Sequence, residues 1–354
     1  MFTITAVKLL LKRGINVKLL CYEQSSIHKE AQQANLEVIT TTARSYFHPI
    51  EIAKLYALLH EEKFDLIHSQ ASKDLWLLTP ALKLTRLKIP LFLTKQVGSY
   101  IVKKDFFHKF IYSSVTVAFA ISEVIKRNLL DTCPLTEKQI ILLHNGIDLT
   151  RFRPELIDRE AVRKELGIKE NDIVLGMTSR FSWGKGHEEF LLALAGLRKE
   201  NPNVRGLIVG EASYGEQEYE QKIKSIANEL KLDNIIYAGF HRDTDRMFSA
   251  MDIFVFPSHS EAFGIALVEA MAMGKPAVCS NSDGILDITV DGVTGFLFQK
   301  QSASDLESKL QTLIASPELQ KTFAQNAITR GHQLFDIEKL TDYVLEIYKR
   351  FILI

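Results

Sequence analysis

The chain has 354 residues, 46% hydrophobic and 24% charged, with Lys+Arg and Asp+Glu balanced at 43 each. That is soluble globular composition with length for two domains, and no apolar run approaches the length that spans a bilayer. Cys21, Cys133 and Cys279 stand apart, with neither metal-ligand spacing nor a disulfide framework, which fits a reducing cytoplasm. No basic–aromatic interleaving points to nucleic acid.

The opening stretch, MFTITAVKLLLKRG, has apolar positions spaced like a helix face and broken by Lys8 and Lys12. It reads as a helix, not as a secretion signal. NVKLLCY, FDLIHS, IPLFLTKQ, TVAFAIS and QIILLHNG then read as strands, and IEIAKLYALLHEE as a helix. This βαβ rhythm predicts parallel sheet covered on both faces. After NGIDLTRFRPE the rhythm restarts with DIVLGMTS, VRGLIVG, NIIYAG, MDIFVFPS, KPAVCS and GFLF. The spacing predicts a first domain over 1–155, a second over 156–335 and a final helix over 336–354. Charge divides along that boundary, with 21 Lys and Arg against 14 Asp and Glu in 1–155, and 22 against 29 in 156–354. A basic first half suits an anionic partner, such as a membrane surface or an acidic acceptor, though ordinary solvated charge gives the same count.

Two stretches could carry chemistry. In TSRFSWGKGHEEF, 178–190, a strand ends near Thr178, a loop carries Arg180 and Lys185, and a helix begins near His187. A helix start offers unpaired N–H groups and a positive dipole end, so a lysine placed there is unfavourable alone and favourable with a bound diphosphate. Arg180 would serve as a planar fork and Lys185 as a point charge. The loop is neither a Walker A sequence nor a dinucleotide fingerprint, and taken alone it also fits a surface loop with incidental charges. In SEAFGIALVEAMAMGKP, 260–276, Glu261 lies in a loop and Gly264 permits close backbone approach. A helix expected from Ile265 to Met273 is apolar on nearly every face and should be buried. Eight residues at ~1.5 Å rise separate Glu261 and Glu269 by roughly 12 Å, comparable to the sugar-to-ribose distance of a sugar nucleotide.

EAFGIALVE resembles the E-x7-E motif of retaining glycosyltransferases, specifically family 4 with the GT-B fold. RFSWGKG resembles that family's Arg…Lys-Gly phosphate clamp, HNGIDLTRF its hinge segment, and SDGILDITVDGVTGFLF the segment after the donor site. The final helix resembles the GT-B helix that returns to the N-terminal domain. The match runs from about Ser122 onward. The resemblance implies an α/β fold of two Rossmann-like parallel-sheet domains facing a cleft. It implies that Arg180 and Lys185 neutralise the donor diphosphate, that Glu269 binds ribose hydroxyls and that Glu261 contacts the donor sugar. The backbone of Phe263, Gly264, Ile265 and Ala266 would lie against phosphate and sugar, and Phe240 and His241 would border the base. No cofactor or metal is implied. The implied activity is that of a hexosyltransferase moving a sugar, with retention, from a nucleotide-sugar donor to a glycan or lipid-linked acceptor. Cell-envelope polysaccharide or lipopolysaccharide synthesis in the cytoplasm, with possible peripheral contact with an anionic membrane, is the setting. The alternatives are a sugar-nucleotide-binding protein without transfer activity, or another GT-B enzyme such as an epimerase or a phosphorylase.

The N-terminal half departs from the family in two places. It lacks the first strand and Gly-rich loop, as an N-terminally truncated chain would, so two strands should each lose a neighbour. Gln96 stands where many relatives carry a His; it can bond a sugar hydroxyl but carry no proton. His68 ends a strand and could either line the acceptor side or serve the core. Asp243-Thr244-Asp245 matches the D-x-D of metal-dependent transferases, yet it precedes a helix, where Asp is a natural cap and first-turn residue. VGEASYGE has turn character only.

Overall fold

The computed structural model describes residues 2–43, 46 and 48–352. The chain divides into two units: Met1–His144 with Glu338–Ile354, and Asn145–Ile337. No helix among the described residues is long and apolar enough to cross a membrane.

The first unit holds six strands: β1 Leu19–Tyr22, β2 Val38–Thr41, β3 Ile67–Ser69, β4 Leu91–Lys95, β5 Val115–Ala120 and β6 Ile140–Leu142. All pair in parallel, but in two sheets, β1-β2 and β3-β4-β5-β6. Every residue of β4 is buried, as are most of β5, which is the continuous apolar reading of strands covered on both faces. Among the described residues no strand joins β1 to β3, so the sheet has the break expected of a doubly wound sheet without its central first strand. The helix Phe2–Lys12 spans that break. Its Ile4 and Val7 pack with Leu19 and Cys21, while Leu10 packs against the cluster of Phe92, Phe119 and Tyr348. β2 is an addition to the strands expected from sequence. No residue of its VITT is fully buried, so it lacks the apolar alternation that marks a half-buried strand.

The final helix, Ile337–Lys349, is shorter than the expected 336–354 and packs on the first unit. Ile347 and Tyr348 are buried beside Phe92, Val117 and Phe119. Arg13 fastens the same helix, 2.5 Å from Asp342 and 2.8 Å from Glu338. His68 is part of this packing. Its Nδ1 bonds the Tyr348 hydroxyl and its Nε2 lies 2.7 Å from Thr94 Oγ1. Burial lowers its pKa to about 4, so the ring is neutral at pH 7. Both ring nitrogens are engaged within the first unit.

The second unit holds β7 Ile173–Thr178, β8 Val204–Val209, β9 Ile235–Gly239, β10 Ile253–Phe256, β11 Ala277–Ser280 and β12 Gly295–Phe298. They form one parallel sheet in the order β12-β11-β10-β7-β8-β9. The chain winds outward from β7 through β8 to β9, then returns to the other side of β7 and winds through β10 to β12. The reversal falls between β7 and β10, and the carboxyl ends of strands at such a point form a crevice where open α/β sheets bind ligands. Leu175, Phe190, Leu194 and Val255 lie in the core beneath it, all fully buried.

Tyr348→Ala is expected to destabilise the first unit by about 3–5 kcal/mol through lost aromatic packing. Tyr348→Phe, which removes only the bond to His68, should cost about 1–3 kcal/mol. Urea unfolding of both variants checks the order; equal costs would contradict the role given to the ring.

Candidate active site

The site is assembled by two loops at the carboxyl ends of β7 and β10, which are neighbours in the sheet. The first, 179–186, leads from β7 into the helix His187–Leu197; the second, 257–264, leads from β10 into the helix Ile265–Ala272. Their meeting depends on Gly186. It has φ +77°, and a Cβ there would stand 2.2 Å from the carbonyl oxygen of Pro257. The His259 N–H also donates to the Gly184 carbonyl at 2.8 Å. The result is that Lys185 Nζ lies 2.6 Å from Glu261 Oε1, both side chains mostly covered. A third segment closes on the second loop from beyond β11. The Gly284 N–H donates to the Glu261 carbonyl at 3.0 Å, and a Cβ on Gly284 would come within 2.5 Å of the Ala262 oxygen.

Arg180 is exposed, and its guanidinium donates to Ser213 Oγ at 3.1 Å. Glu216 accepts from the Ser182 hydroxyl; that bond and the nearby Arg180 charge hold its carboxyl below the usual range. VGEASYGE, given only turn character from sequence, therefore supplies the residues that bear on the Arg180 loop.

The helix Ile265–Ala272 buries Leu267, Val268, Ala270, Met271 and Ala272, as its apolar circumference predicts, and begins at Gly264 with φ +119°. Phe263 is buried with its ring against Phe335 at 5.7 Å, so it offers the site its backbone and not its side chain. Ile265 and Ala266 open the helix, where N–H groups have no internal partner. Glu269 is one of the less buried residues of that helix and accepts from Thr244 Oγ1 at 3.3 Å. Desolvation raises its pKa to about 7, against the opposing charge of Arg151. Phe240 is exposed after β9, and His241 beside it bonds Asp243 and the Ala238 carbonyl, each at 3.1 Å.

The D-x-D pair is engaged elsewhere. Asp243 stands at the N-cap position of the helix Thr244–Ala250 and Asp245 in its first turn, but the Asp243 side chain does not cap. It bonds His241, while Asp245 pairs with Arg151 at 3.2 Å. Arg151 and the His259–Glu189 pair, 2.8 Å apart, are contributions that sequence reasoning missed. Their partners lie 94 and 70 positions away, and no local pattern signals such pairs. Gln96, in the first unit, follows β4 at its carboxyl end and is half-buried.

Both parts of the chain are similar to known proteins. Residues 158–330 match the family model described as Glycosyl transferases group 1, and residues 2–151 that of Glycosyltransferase Family 4. The two models together cover most of the chain, each of them less than half of it. The D-inositol 3-phosphate glycosyltransferase of Segniliparus rotundus is 30% identical over 60% of this chain and 47% of its own, so this chain spans about half the length of that relative. The capsular polysaccharide biosynthesis glycosyltransferase CapM of Staphylococcus aureus is 24% identical over 85% of this chain and 80% of its own. Anabaena HepE, solved with UDP and glucose, shares the fold at a TM-score of 0.78, with 24% identity over 94% of this chain and 91% of that one.

Gly186→Ala is expected to part the two loops, lowering the thermal midpoint and weakening ligand binding at the site together; a variant with wild-type values for both would contradict the contact. The Glu269 carboxyl titrates near 7 in the fold against 4.5 unfolded, so the stability it contributes is full below about pH 4.5 and is lost as pH rises through 7. Without ligand, Glu269→Gln should therefore gain on the wild type from pH 5 to pH 8, by at most about 3 kcal/mol at ~1.4 kcal/mol per pK unit. Denaturant midpoints across that range check the sign.

Proposed function

We propose that the protein transfers a hexose-type sugar, with retention, from a nucleotide-sugar donor to a hydroxyl of a cell-envelope glycan or lipid-linked acceptor. The observation that carries this reading is the Lys185–Glu261 pair between adjoining loops at the carboxyl ends of β7 and β10, with Arg180 on the first loop and Glu269 on the helix that follows the second. In this reading the donor diphosphate lies against Arg180, Lys185 and the N–H groups that open the helix at Ile265. Lys185 exchanges its bond with Glu261 for phosphate, and Glu261 turns to the sugar hydroxyls. Glu269 accepts from the ribose hydroxyls and Phe240 borders the base.

The chemistry follows from that placement. The bond from the anomeric carbon to the diphosphate oxygen breaks, its electron pair stays on the leaving oxygen, and the acceptor hydroxyl oxygen bonds the anomeric carbon on the same face while its proton passes to the leaving diphosphate oxygen. Cations fixed where negative charge develops are a strong catalytic term, and here they need no metal to assist them. The envelope setting is supported by relatives such as the capsular transferase, and a cytoplasmic enzyme with its acceptor at the inner membrane face is the corresponding arrangement.

A thermal-shift screen of nucleoside diphosphates and nucleotide sugars tests the site, since a ligand that binds only the native state raises its stability. The hit should be lost in Glu269→Ala and weakened about 10- to 100-fold in Lys185→Ala, the worth of one charge-assisted bond. Its affinity should fall as pH drops from 8 to 6, because a protonated Glu269 loses acceptor capacity, and Glu269→Gln should flatten that profile. Unchanged binding in both alanine variants would refute the site. The anomeric configuration of the product decides retention.

A further inference from the structure

In the first unit, the segment after β4 holds out an apolar surface that the unit does not cover. Val97, Ile101 and Val102 are 62–69% exposed and Tyr100 is fully so. The helix Phe106–Tyr112 follows, burying Ile111 and Tyr112. Phe106, Phe107 and Phe110 share its opposite side, the first two 79% and 68% exposed.

This surface is fixed, not frayed. Asn128 grips Ser99 twice, accepting from its N–H and donating to its carbonyl, each at 2.8 Å. The Lys103 N–H donates to the Thr132 carbonyl at 2.6 Å, and Asp105 accepts from the His108 N–H as the helix cap. The backbone thus holds these side chains away from the core they would otherwise join. At its border Trp76 meets Tyr46 and His108 edge-on, at 5.4 and 5.8 Å.

The charges within the segment are mostly of one sign. Lys103, Lys104 and Lys109 flank the phenylalanines, and the one acid between 96 and 112, Asp105, is occupied as the cap. The unit as a whole carries 22 Lys and Arg against 15 Asp and Glu. Exposed aromatics rimmed by lysines match the interface of an anionic bilayer, where apolar rings enter below the headgroups and ammonium groups meet phosphates. We infer that residues 97–110 dock the protein on an anionic phospholipid surface, with Ile101 and the three phenylalanines entering between lipids. The segment starts at the carboxyl end of β4, the side on which α/β sheets bind ligands. Docking there sets that side of the unit at the membrane, within reach of a lipid-borne acceptor. In that respect the inference rests on the transferase reading and names its membrane partner.

The test is co-flotation of the full chain with vesicles of phosphatidylcholine alone and with equal parts phosphatidylcholine and phosphatidylglycerol. Binding is expected to the anionic vesicles only, and to weaken with salt. Phe106→Ser with Phe107→Ser should lower the partition about tenfold or more. Lys103→Gln with Lys109→Gln should lower it about fivefold per lysine and reduce its salt dependence. The nucleoside-diphosphate thermal shift should persist in both pairs, which shows that they fold. No binding to anionic vesicles at low ionic strength, or undiminished binding by the serine pair, overturns the inference. A self-association of the wild type that the serine pair abolishes, without vesicle binding, overturns it in favour of a second copy as the occupant. Loss of nucleotide binding by the wild type would sink the transferase reading while leaving the vesicle result to stand or fall by itself.

Discussion

The approach of the Gly186 backbone to the Pro257 carbonyl is the contact on which the second unit's site depends. With any side chain at 186, the loop after β7 could not lie against the loop after β10, because its Cβ would occupy the carbonyl's space. That contact brings Lys185 to Glu261 from 76 positions away in sequence. The Gly284 contact performs the same service on the far side, fixing the Glu261 backbone against the segment that follows β11. The site is thus held by main chain, and its charged side chains are left to do chemistry.

Those side chains are satisfied by one another in the free protein. Lys185 has Glu261, Arg180 has Ser213 with Glu216 nearby, and Asp245 has Arg151. Glu269 is the exception: it holds one bond, from Thr244, and burial keeps its proton on near neutrality. A desolvated carboxyl with spare acceptor capacity is costly. The two glutamates of the E-x7-E stretch therefore differ physically. One is held in an ion pair, and the other is half-neutral near pH 7 with a single bond from Thr244.

What could be read from the sequence was what is local. The strands of the second unit, its buried helix at 265–272 and the two charged loops each have a period or a turn residue that announces them. β2 escaped because its four residues are only partly covered, and so show no alternation. Arg151, Ser213, Glu216 and the His259–Glu189 pair escaped because each acts through a partner distant in sequence. Asp243 illustrates the limit of a local rule: it occupies the cap position, yet its carboxylate is taken by His241 two residues before. The bond of His68 to Tyr348 escaped likewise, because the two stand 280 positions apart.

That last separation bears on how the molecule comes into being. A ribosome releases β3 and β4 long before it makes the helix that covers their aromatic residues, and the whole second unit is synthesised in between. Domains that fold as they emerge do so from the N-terminus, but here the unit begun first is finished last. Until residues 337–349 appear, Phe92 and Phe119 lack their final cover. The nascent first unit is then open to chaperones or to wrong partners, while the second can already be complete.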